Sequence, residues 1–149
     1  MISFQRGDIF TAESDAIVNP VNCMGIMGKG LALEFKKRFP DNFEHYKIEC
    51  QQGNLSPGIT LFYESSTLGK KIFIINFPTK NHWREKSKLS YIDDGLTDLL
   101  RKLNDYSINT VTLPALGVGL GGLPWQQVKL LLVKKLAPSE IEFTVMEPK

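Results

Sequence analysis

A glycine-rich stretch that joins an apolar strand to a helix constrains this chain more than any other segment. The apolar residues 16–18 predict a strand, three glycines follow within residues 25–30, and a helical pattern opens at Leu31. Glycine allows a backbone to approach a ligand closely, and the first turn of a helix presents unpaired N–H groups. The stretch therefore predicts a phosphate or pyrophosphate site. Its spacing matches neither the dinucleotide fingerprint nor the Walker A loop. The alternative is a tight turn beneath closely packed helix and sheet.

The rest of the chain predicts one α/β domain over residues 1–149. Strands are predicted over 2–5, 16–18, 59–63, 71–77, 111–114 and 142–146, and helices over 30–39, 42–52, 90–106 and 124–136. Asp41 is expected to cap the second helix, and a turn is expected at Leu68-Gly69. Because strands alternate with helices, apart from a strand pair in the middle, we expect a mostly parallel sheet covered by helices on both sides.

Composition excludes several classes of protein. The formal net charge of +2 is too small to identify a nucleic-acid-binding protein by itself. Cys23, Cys50, His45 and His82 show neither paired nor helical spacing, so no disulfide framework and no metal site are predicted. The chain is already polar within a few residues of Met1 and contains no apolar run of membrane-spanning length. We therefore expect a cytoplasmic protein that has no membrane partner and needs no metal or cofactor.

Four segments follow predicted strands, namely residues 7–8, 19–30, 78–83 and 117–122. In a parallel sheet the ligand binds beyond the carboxyl ends of the strands. Two glycine loops at one cleft could hold a diphosphate between their backbone N–H groups. Asp8 could accept a hydrogen bond from an exocyclic amine such as that of adenine, or it could simply be a turn or helix-cap aspartate. This arrangement indicates a metabolite that contains ADP.

These segments resemble the macrodomain family over essentially the whole chain. Within the family they are most similar to the DarG-type ADP-ribosyl glycohydrolases, the antitoxins of DarT–DarG pairs. The motifs are Gly7-Asp8, residues 21–30, residues 114–123, and the narrower Asn-Phe-Pro-Thr-Lys-Asn-His-Trp-Arg at 76–84. The resemblance implies a three-layer α/β/α macrodomain with a mixed, mostly parallel central sheet.

The resemblance also implies the ligand and the residues that hold it. Family members bind ADP-ribose, and DarG-type members remove the ADP-ribose that DarT has attached to thymine bases of single-stranded DNA. The implied ADP-ribose contacts are Asp8, Ile9, Asn22, Gly25, Met27, Gly28, Gly30, Thr79, Leu116, Gly117, Val118, Gly119, Leu120 and Gly121. Lys80 and Asn22 correspond to the family's catalytic lysine and to the asparagine that contacts the distal ribose. The expected partners are ADP-ribose, ADP-ribosylated single-stranded DNA and a DarT-type toxin, and the protein is expected to be a monomer.

The chemistry expected of Lys80 has two routes. A partly desolvated lysine can lose its proton and attack an electrophilic carbon, here the opened distal ribose, to give a Schiff-base-type adduct. Alternatively, it can protonate the departing thymine while an ordered water attacks. A related glycohydrolase pairs the lysine with an aspartate at a position that corresponds here to Gly121. Lys80 would therefore act with Asn22, water or the phosphate of the substrate; the alternative for Lys80 is a solvated loop lysine.

The loop over residues 80–88 is basic and carries one tryptophan. Four Lys or Arg residues surround Trp83, together with the single acid Glu85. Basic side chains can follow a phosphate backbone while an aromatic ring stacks on a base. His82, Trp83 and Arg84 are therefore expected to contact DNA. The alternative is a solvated basic loop with Trp83 packed on the sheet edge.

Three questions stay open from the residues alone. Cys23 lies near the expected cleft but has no evident His or Asp partner, so it is expected to be a loop residue and not a nucleophile. Glu147 is expected to border the adenine pocket. The competing functions are a non-catalytic ADP-ribose-binding module and a hydrolase of ADP-ribosyl-glutamate or ADP-ribose 1''-phosphate.

Overall fold

A computed structural model describes residues 1–67 and 69–149. Its strands are β1 Ile2–Gln5, β2 Ala16–Val21, β3 Leu61–Ser65, β4 Ile72–Pro78, β5 Thr110–Leu113 and β6 Glu142–Met146. Its helices are α1 Gly30–Arg38, α2 Pro40–Gln51, α3 Leu89–Leu103 and α4 Trp125–Leu136, with short 3-10 turns at Ile9–Thr11 and Gly119–Gly121. The predicted turn at Leu68-Gly69 includes Leu68, which lies outside the described residues.

The six strands form one sheet in the order β1-β6-β5-β2-β4-β3. All neighbouring strands are parallel except β3, which runs antiparallel to β4. This topology confirms the predicted mixed, mostly parallel sheet. The carboxyl ends of β1, β2, β4, β5 and β6 consequently meet at one edge, where the loops that follow them come together.

The two faces of the sheet are covered by different helices. Side chains alternate between faces along a strand, and on β2 Ile17 joins a cluster with Phe35 of α1. Its neighbours Ala16 and Val18 join the larger cluster, which contains buried residues of α3 and α4. Helices therefore bury both faces of the sheet, as the sequence predicts. In the described part of the chain no helix is long and apolar enough to cross a membrane.

The strand β2 continues further than the sequence predicts. It pairs with β4 over Ala16–Val21 but with β5 only at Ala16 and Ile17. The Val21 carbonyl accepts from Thr79 N at 2.9 Å on the β4 side. Because neighbouring residues of a parallel strand direct their backbone polar groups to opposite sides, Pro20 faces the gap left by β5. Its missing N–H therefore removes no ladder hydrogen bond.

The predicted cap of the second helix is wrong. α2 begins at Pro40, and Phe39 is the residue before it. Proline suits the first helical turn because its missing N–H would have no partner there. Asp41 lies inside that turn and accepts hydrogen bonds from Ser65 Oγ at 2.9 Å and Thr67 Oγ1 at 2.7 Å. Its carboxylate thus fixes the end of β3 to α2.

Candidate functional site

A cleft of about 1460 Å³ opens where β2 and β5 separate, at the carboxyl edge of the sheet. It is lined by residues that follow five different strands, β1, β2, β4, β5 and β6. Most of the site residues predicted from sequence lie along it: Asp8, Ile9, Asn22, Gly28, Gly30, Thr79, Lys80, Trp83, Arg84, Gly117, Val118, Gly119, Leu120 and Gly121. The sheet topology therefore brings both glycine loops and the basic loop to one place.

Four predicted site residues lie outside the lining of this cleft. Met27 is buried, and its sulfur accepts a hydrogen bond from the Asn19 side-chain amide at 3.8 Å. Leu116 is buried within the main core. Gly25 has a positive φ of 79° and packs against α2 near Cys50. His82 stacks on Trp83. Met27, Leu116 and Gly25 therefore pack beneath the loops that line the cleft, and His82 packs against Trp83 at the rim.

Asn22, in the first glycine loop, has its side-chain amide fixed by three groups. Its Nδ2 donates to the Ile26 carbonyl at 2.8 Å, and its Oδ1 accepts from Met24 N at 2.9 Å. Tyr46 of α2 places its hydroxyl 2.9 Å from both the Asn22 carbonyl and Oδ1. Burial raises the pKa of Tyr46, so this hydroxyl stays protonated. The orientation of Asn22 at the cleft is therefore set from the core.

Helix α1 turns its amino end toward the cleft. Its first residues Gly30, Leu31 and Ala32 all line the cleft. The first N–H groups of a helix have no intrahelical partner, and the preceding Lys29 makes no side-chain capping hydrogen bond. The partial positive charge of the helix terminus adds to these donors. This end of α1 is suited to an anion, as the sequence predicts for residues 25–30.

The second glycine loop needs glycine for two different reasons. Gly117 and Gly119 have φ values of 76° and 71°, which side chains other than glycine rarely adopt. Gly121 has no positive φ, but a Cβ there would lie 2.5 Å from Ser87 Oγ. Ser87 N also donates to the Gly121 carbonyl at 2.9 Å. A side chain at position 121 would therefore force Ser87 to shift, and the glycine there places no carboxylate beside Lys80.

Lys80 joins the two walls of the cleft. Its backbone segment is hydrogen-bonded to the first glycine loop, because Cys23 N donates to the Asn81 carbonyl at 2.9 Å. Its side chain reaches the second loop, where Nζ donates to the Leu120 carbonyl at 3.2 Å. Lys80 is thus a partly exposed cation held at a fixed point between both glycine loops, an arrangement that is unusual for a freely solvated loop lysine.

Cys23 has the properties of a packing residue. Burial, followed by the influence of Cys50 and Glu85, raises the pKa of its thiol to about 12. The thiol therefore stays protonated near neutral pH, and the thiolate needed for nucleophilic attack is absent.

No cluster of three or more His, Cys, Asp or Glu suited to a metal occurs in residues 1–67 and 69–149.

The loop after β4 places Trp83 at the rim of the cleft. Trp83 is 40% exposed. Its ring stacks on His82 with centroids 5.4 Å apart, and Arg84 Cζ lies 4.5 Å from its centroid. The Glu85 carboxylate accepts from Asn81 N and from His82 N, which closes the loop into a turn. Local contacts therefore hold a cationic and aromatic surface beside Lys80.

Asp8 lies at the opposite end of the cleft and has the turn-capping role considered for it, while its contact with adenine stays a prediction. Its Oδ1 accepts from Phe10 N at 2.9 Å and caps the turn Ile9–Thr11. The residue is exposed at the cleft wall, where its second carboxylate oxygen can meet a ligand. Glu147 lines the same end of the cleft, and its place beside adenine stays a prediction.

Sequence reasoning missed Tyr46 and Ser87. Tyr46 stands in an amphipathic helix, where a tyrosine is indistinguishable from an ordinary core residue. Ser87 is buried at 7% exposure, and its Oγ has no hydrogen-bond partner among the described residues. Nothing in the local sequence marks either residue, because each acts on a loop distant in the chain.

Comparison with known proteins identifies the family. The Macro domain family matches residues 18–132. A DNA ADP-ribosyl glycohydrolase from Thermus aquaticus is 42% identical over 99% of this chain and 41% of its own length. One from Mycobacterium tuberculosis is 47% identical over 89% of this chain and 38% of its own. The chain thus spans about two fifths of the length of these curated relatives.

Solved structures agree with the sequence matches. The macrodomain of Mycobacterium tuberculosis DarG superposes with a TM-score of 0.93 at 44% identity, covering 100% of this chain and 98% of that one. Thermosipho africanus DarTG in complex with ADP-ribose gives 0.93 at 31% identity, covering 99% of this chain and 41% of that one. The resemblance drawn from the sequence motifs is confirmed. The chain belongs to the macrodomain family, in which it groups with the macrodomains of DarG proteins.

Proposed function

We propose that this macrodomain binds ADP-ribose in its cleft and hydrolyses the bond between ADP-ribose and a thymine base of single-stranded DNA. The observation that carries the proposal is the position of Lys80, whose Nζ lies 3.2 Å from the Leu120 carbonyl between the two glycine loops. The names of the relatives support it, since two are DNA ADP-ribosyl glycohydrolases and one solved DarTG contains ADP-ribose.

The shape and charge of the cleft suit ADP-ribose. Among its described lining residues, seven are Lys or Arg and four are Asp or Glu, an excess of three positive charges. The amino end of α1 and the loop over Gly117–Gly121 offer backbone N–H groups to the pyrophosphate. In this proposal Asp8, at the far end, accepts a hydrogen bond from the adenine amine. The distal ribose then lies toward Asn22 and Lys80.

Lys80 supplies the chemistry in this proposal. Hydrolysis at an anomeric carbon passes through an oxocarbenium-like state. As a free amine, Lys80 attacks C1'' of the distal ribose and displaces the thymine, which leaves with a proton. Opening of the ribose ring then gives an imine with Lys80, and water hydrolyses the imine to free ADP-ribose and the amine. As an ammonium, it instead protonates the departing thymine while water attacks C1''. Asn22, held by Tyr46, orients the distal ribose in either route.

Release of ADP-ribose from a thymine-modified single-stranded oligonucleotide tests the proposal. We expect the native protein to release ADP-ribose, and Lys80→Ala to be at least 100-fold slower while still binding free ADP-ribose in calorimetry. Lys88→Ala is the matched control, because Lys88 lies in the same loop but its Nζ sits 5.3 Å over the Tyr91 ring. Binding of ADP-ribose without release by the native protein would leave a reader of ADP-ribose instead.

Competing linkages are distinguished in the same assay. One relative, 24% identical, is an ADP-ribose 1''-phosphate phosphatase from Candida albicans. ADP-ribose 1''-phosphate and an ADP-ribosyl-glutamate peptide are therefore offered beside the DNA substrate. If kcat/KM is larger for either of these compounds, that compound is the substrate in place of thymine-linked DNA. Borohydride added during turnover separates the two routes for Lys80, because it reduces an imine to a stable adduct of the protein.

We propose that the partner of this protein is a DNA ADP-ribosyl transferase of the DarT type. We also propose that the protein acts in the cytoplasm. A Thermosipho africanus relative is a fusion of transferase and glycohydrolase, 31% identical over 99% of this chain. Since the proposed substrate is the product of the transferase, the two proteins would catalyse opposed reactions on one DNA base.

We propose that the domain acts as a monomer, which sedimentation of the purified protein checks directly.

A further inference from the structure

In the loop after β4 the one carboxylate is bound by backbone N–H groups, whereas the cations on either side of it are exposed. Glu85 Oε1 accepts from Asn81 N at 2.5 Å and from His82 N at 3.2 Å. The single carboxylate of the loop is thus engaged by its own backbone. Arg84 and Lys86, on either side of Glu85 in sequence, are both exposed and both line the cleft.

Lys86 is held in place by its neighbour Ser87. Ser87 is buried, and its N–H donates to the Gly121 carbonyl at 2.9 Å. The Lys86 side chain consequently lies along the second glycine loop, where a Cβ on Gly122 would meet its Cδ at 3.3 Å. Lys80 contacts the same loop at Leu120. Lys86 therefore stands two residues further along that loop than the proposed catalytic lysine.

The charges of Arg84 and Lys86 are available to a ligand. Among the described residues, neither cation lies within 4.0 Å of a carboxylate oxygen. In the proposed function the pyrophosphate donors are the backbone N–H groups of α1 and of the second glycine loop. Arg84 and Lys86 are additional to these donors, and they lie in the same loop as Lys80, beside which the base attached at C1'' is proposed to sit.

We infer that Lys86, together with Arg84, binds the DNA phosphates that flank the modified thymine. The inference rests on the proposed function and adds to it a phosphate-binding track along the rim. Phosphate contacts are independent of base sequence and weaken with salt, since each releases condensed counterions. The track increases affinity for modified DNA over a modified nucleoside, which lacks phosphodiesters.

Turnover of two substrates tests this track. The first is a single-stranded oligonucleotide with one ADP-ribosylated thymine, and the second is ADP-ribosyl-thymidine. In Lys86→Gln we expect the ratio of their kcat/KM values to fall about five-fold at low salt. A plot of log kcat/KM for the oligonucleotide against log salt has a negative slope. In Lys86→Gln the magnitude of this slope should fall by about 0.7, the value for one single-strand phosphate contact. Lys86→Arg should restore both.

Lys88→Gln is the matched control, because Lys88 lies two residues on but outside the cleft lining. An unchanged ratio and slope in Lys86→Gln would overturn the track, as would an equal change in Lys88→Gln. If the native protein hydrolyses neither substrate, the proposed function fails instead. Salt-dependent binding of an unmodified oligonucleotide, followed by fluorescence anisotropy, then compares the same variants without turnover, and an equal slope in all of them overturns the track.

Discussion

The hydroxyl of Tyr46 on α2 lies 2.9 Å from Oδ1 of Asn22 in the first glycine loop and equally far from the Asn22 carbonyl. Tyr46 is fully buried and lies outside the cleft lining. Its hydroxyl therefore acts on a ligand through Asn22. One helical turn earlier, Asn42 exchanges two side-chain hydrogen bonds with Asn76 of β4, at 3.0 and 2.8 Å. Helix α2 is thus fixed to the sheet at the point from which it orients the loop.

Tyr46→Phe should lower kcat for ADP-ribose release about five-fold. The substitution removes one hydrogen bond, worth about 1 kcal/mol, and leaves the Asn22 amide with its bonds to the Ile26 carbonyl and Met24 N, so that the amide is held less firmly. Steady-state kinetics on the thymine-linked substrate measures the effect. Because Tyr46 acts through Asn22, the double variant with Asn22→Ala should be no slower than Asn22→Ala alone.

Thr60→Val is the control for a loss of stability alone. It removes the bond from Thr60 Oγ1 to Asp98 Oδ2, 2.7 Å long, and Thr60 lies outside the cleft lining. We expect it to lower Tm to a similar degree with kcat intact. Equal kcat in Tyr46→Phe and the native protein would show that Tyr46 serves folding only.

Gly121→Ala should destabilise the protein by about 1–3 kcal/mol, the usual range for overpacking. The added methyl would lie 2.5 Å from Ser87 Oγ, and φ at Gly121 gives no separate reason for strain. Adding Ser87→Gly should recover most of the loss, since the backbone bond from residue 87 to the Gly121 carbonyl remains. Denaturant unfolding of the single and double variants makes the comparison. Failure of the second substitution to rescue the first would rule out this contact as the cause.

Cys23 should resist alkylation in the folded protein. Its pKa is raised to about 12, chiefly by burial, so the reactive thiolate is scarce at pH 8. Iodoacetamide labelling followed by mass spectrometry should modify Cys23 only after denaturant is added. Cys23→Ala should keep its ability to release ADP-ribose from DNA. Rapid labelling of the native thiol would contradict the assignment of Cys23 as a packing residue.

Asp98 should stabilise the fold in a pH-dependent way. Burial alone would raise the pKa of Asp98, but hydrogen bonds from Lys102, Thr60 and Arg101 lower it to about 2. A carboxyl whose pKa is depressed on folding contributes stability above its unfolded pKa of about 3.9 and loses it as pH falls through the folded value. Asp98→Asn should therefore be less stable than the native protein at pH 7, and the difference should shrink between about pH 4 and pH 2. A pH-independent difference in denaturant unfolding would exclude this linkage.

The sequence predicts the layers of this fold better than the ends of its elements. Alternation of apolar strands with amphipathic helices is enough to place the sheet and the two glycine loops, and strand order brings those loops together. The end of β2 is different. Asn19 and Pro20 are typical of a loop, and only the separation of β5 after Ile17 explains why a strand tolerates proline there. Tertiary pairing, which local sequence does not encode, decided that boundary.

In the candidate site, too, some residues can be predicted from the sequence and others cannot. Glycines and charged residues after strands are visible in sequence, so most of the predicted residues lie on the cleft wall. The buried residues that orient them are not visible. Asn19 is predicted at the start of the phosphate loop, yet it lies buried in β2 and donates to Asn76 Oδ1 at 3.1 Å. An asparagine in a core and one in a loop have the same local signature until the partner strand is known.

The bonds around Lys80 divide the cleft into two regions with different tolerance to change. The bonds Cys23 to Asn81, Lys80 to Leu120 and Ser87 to Gly121 link the loop after β4 to both glycine loops. The end near Asp8 is built from segments outside these three linked loops. In a library of random variants, substitutions around Asp8 should accumulate one at a time, so that preference for the nucleoside can drift gradually. Within the linked loops, an acceptable change in one loop requires a matching change in another, and a new reaction would arise there only through coordinated steps.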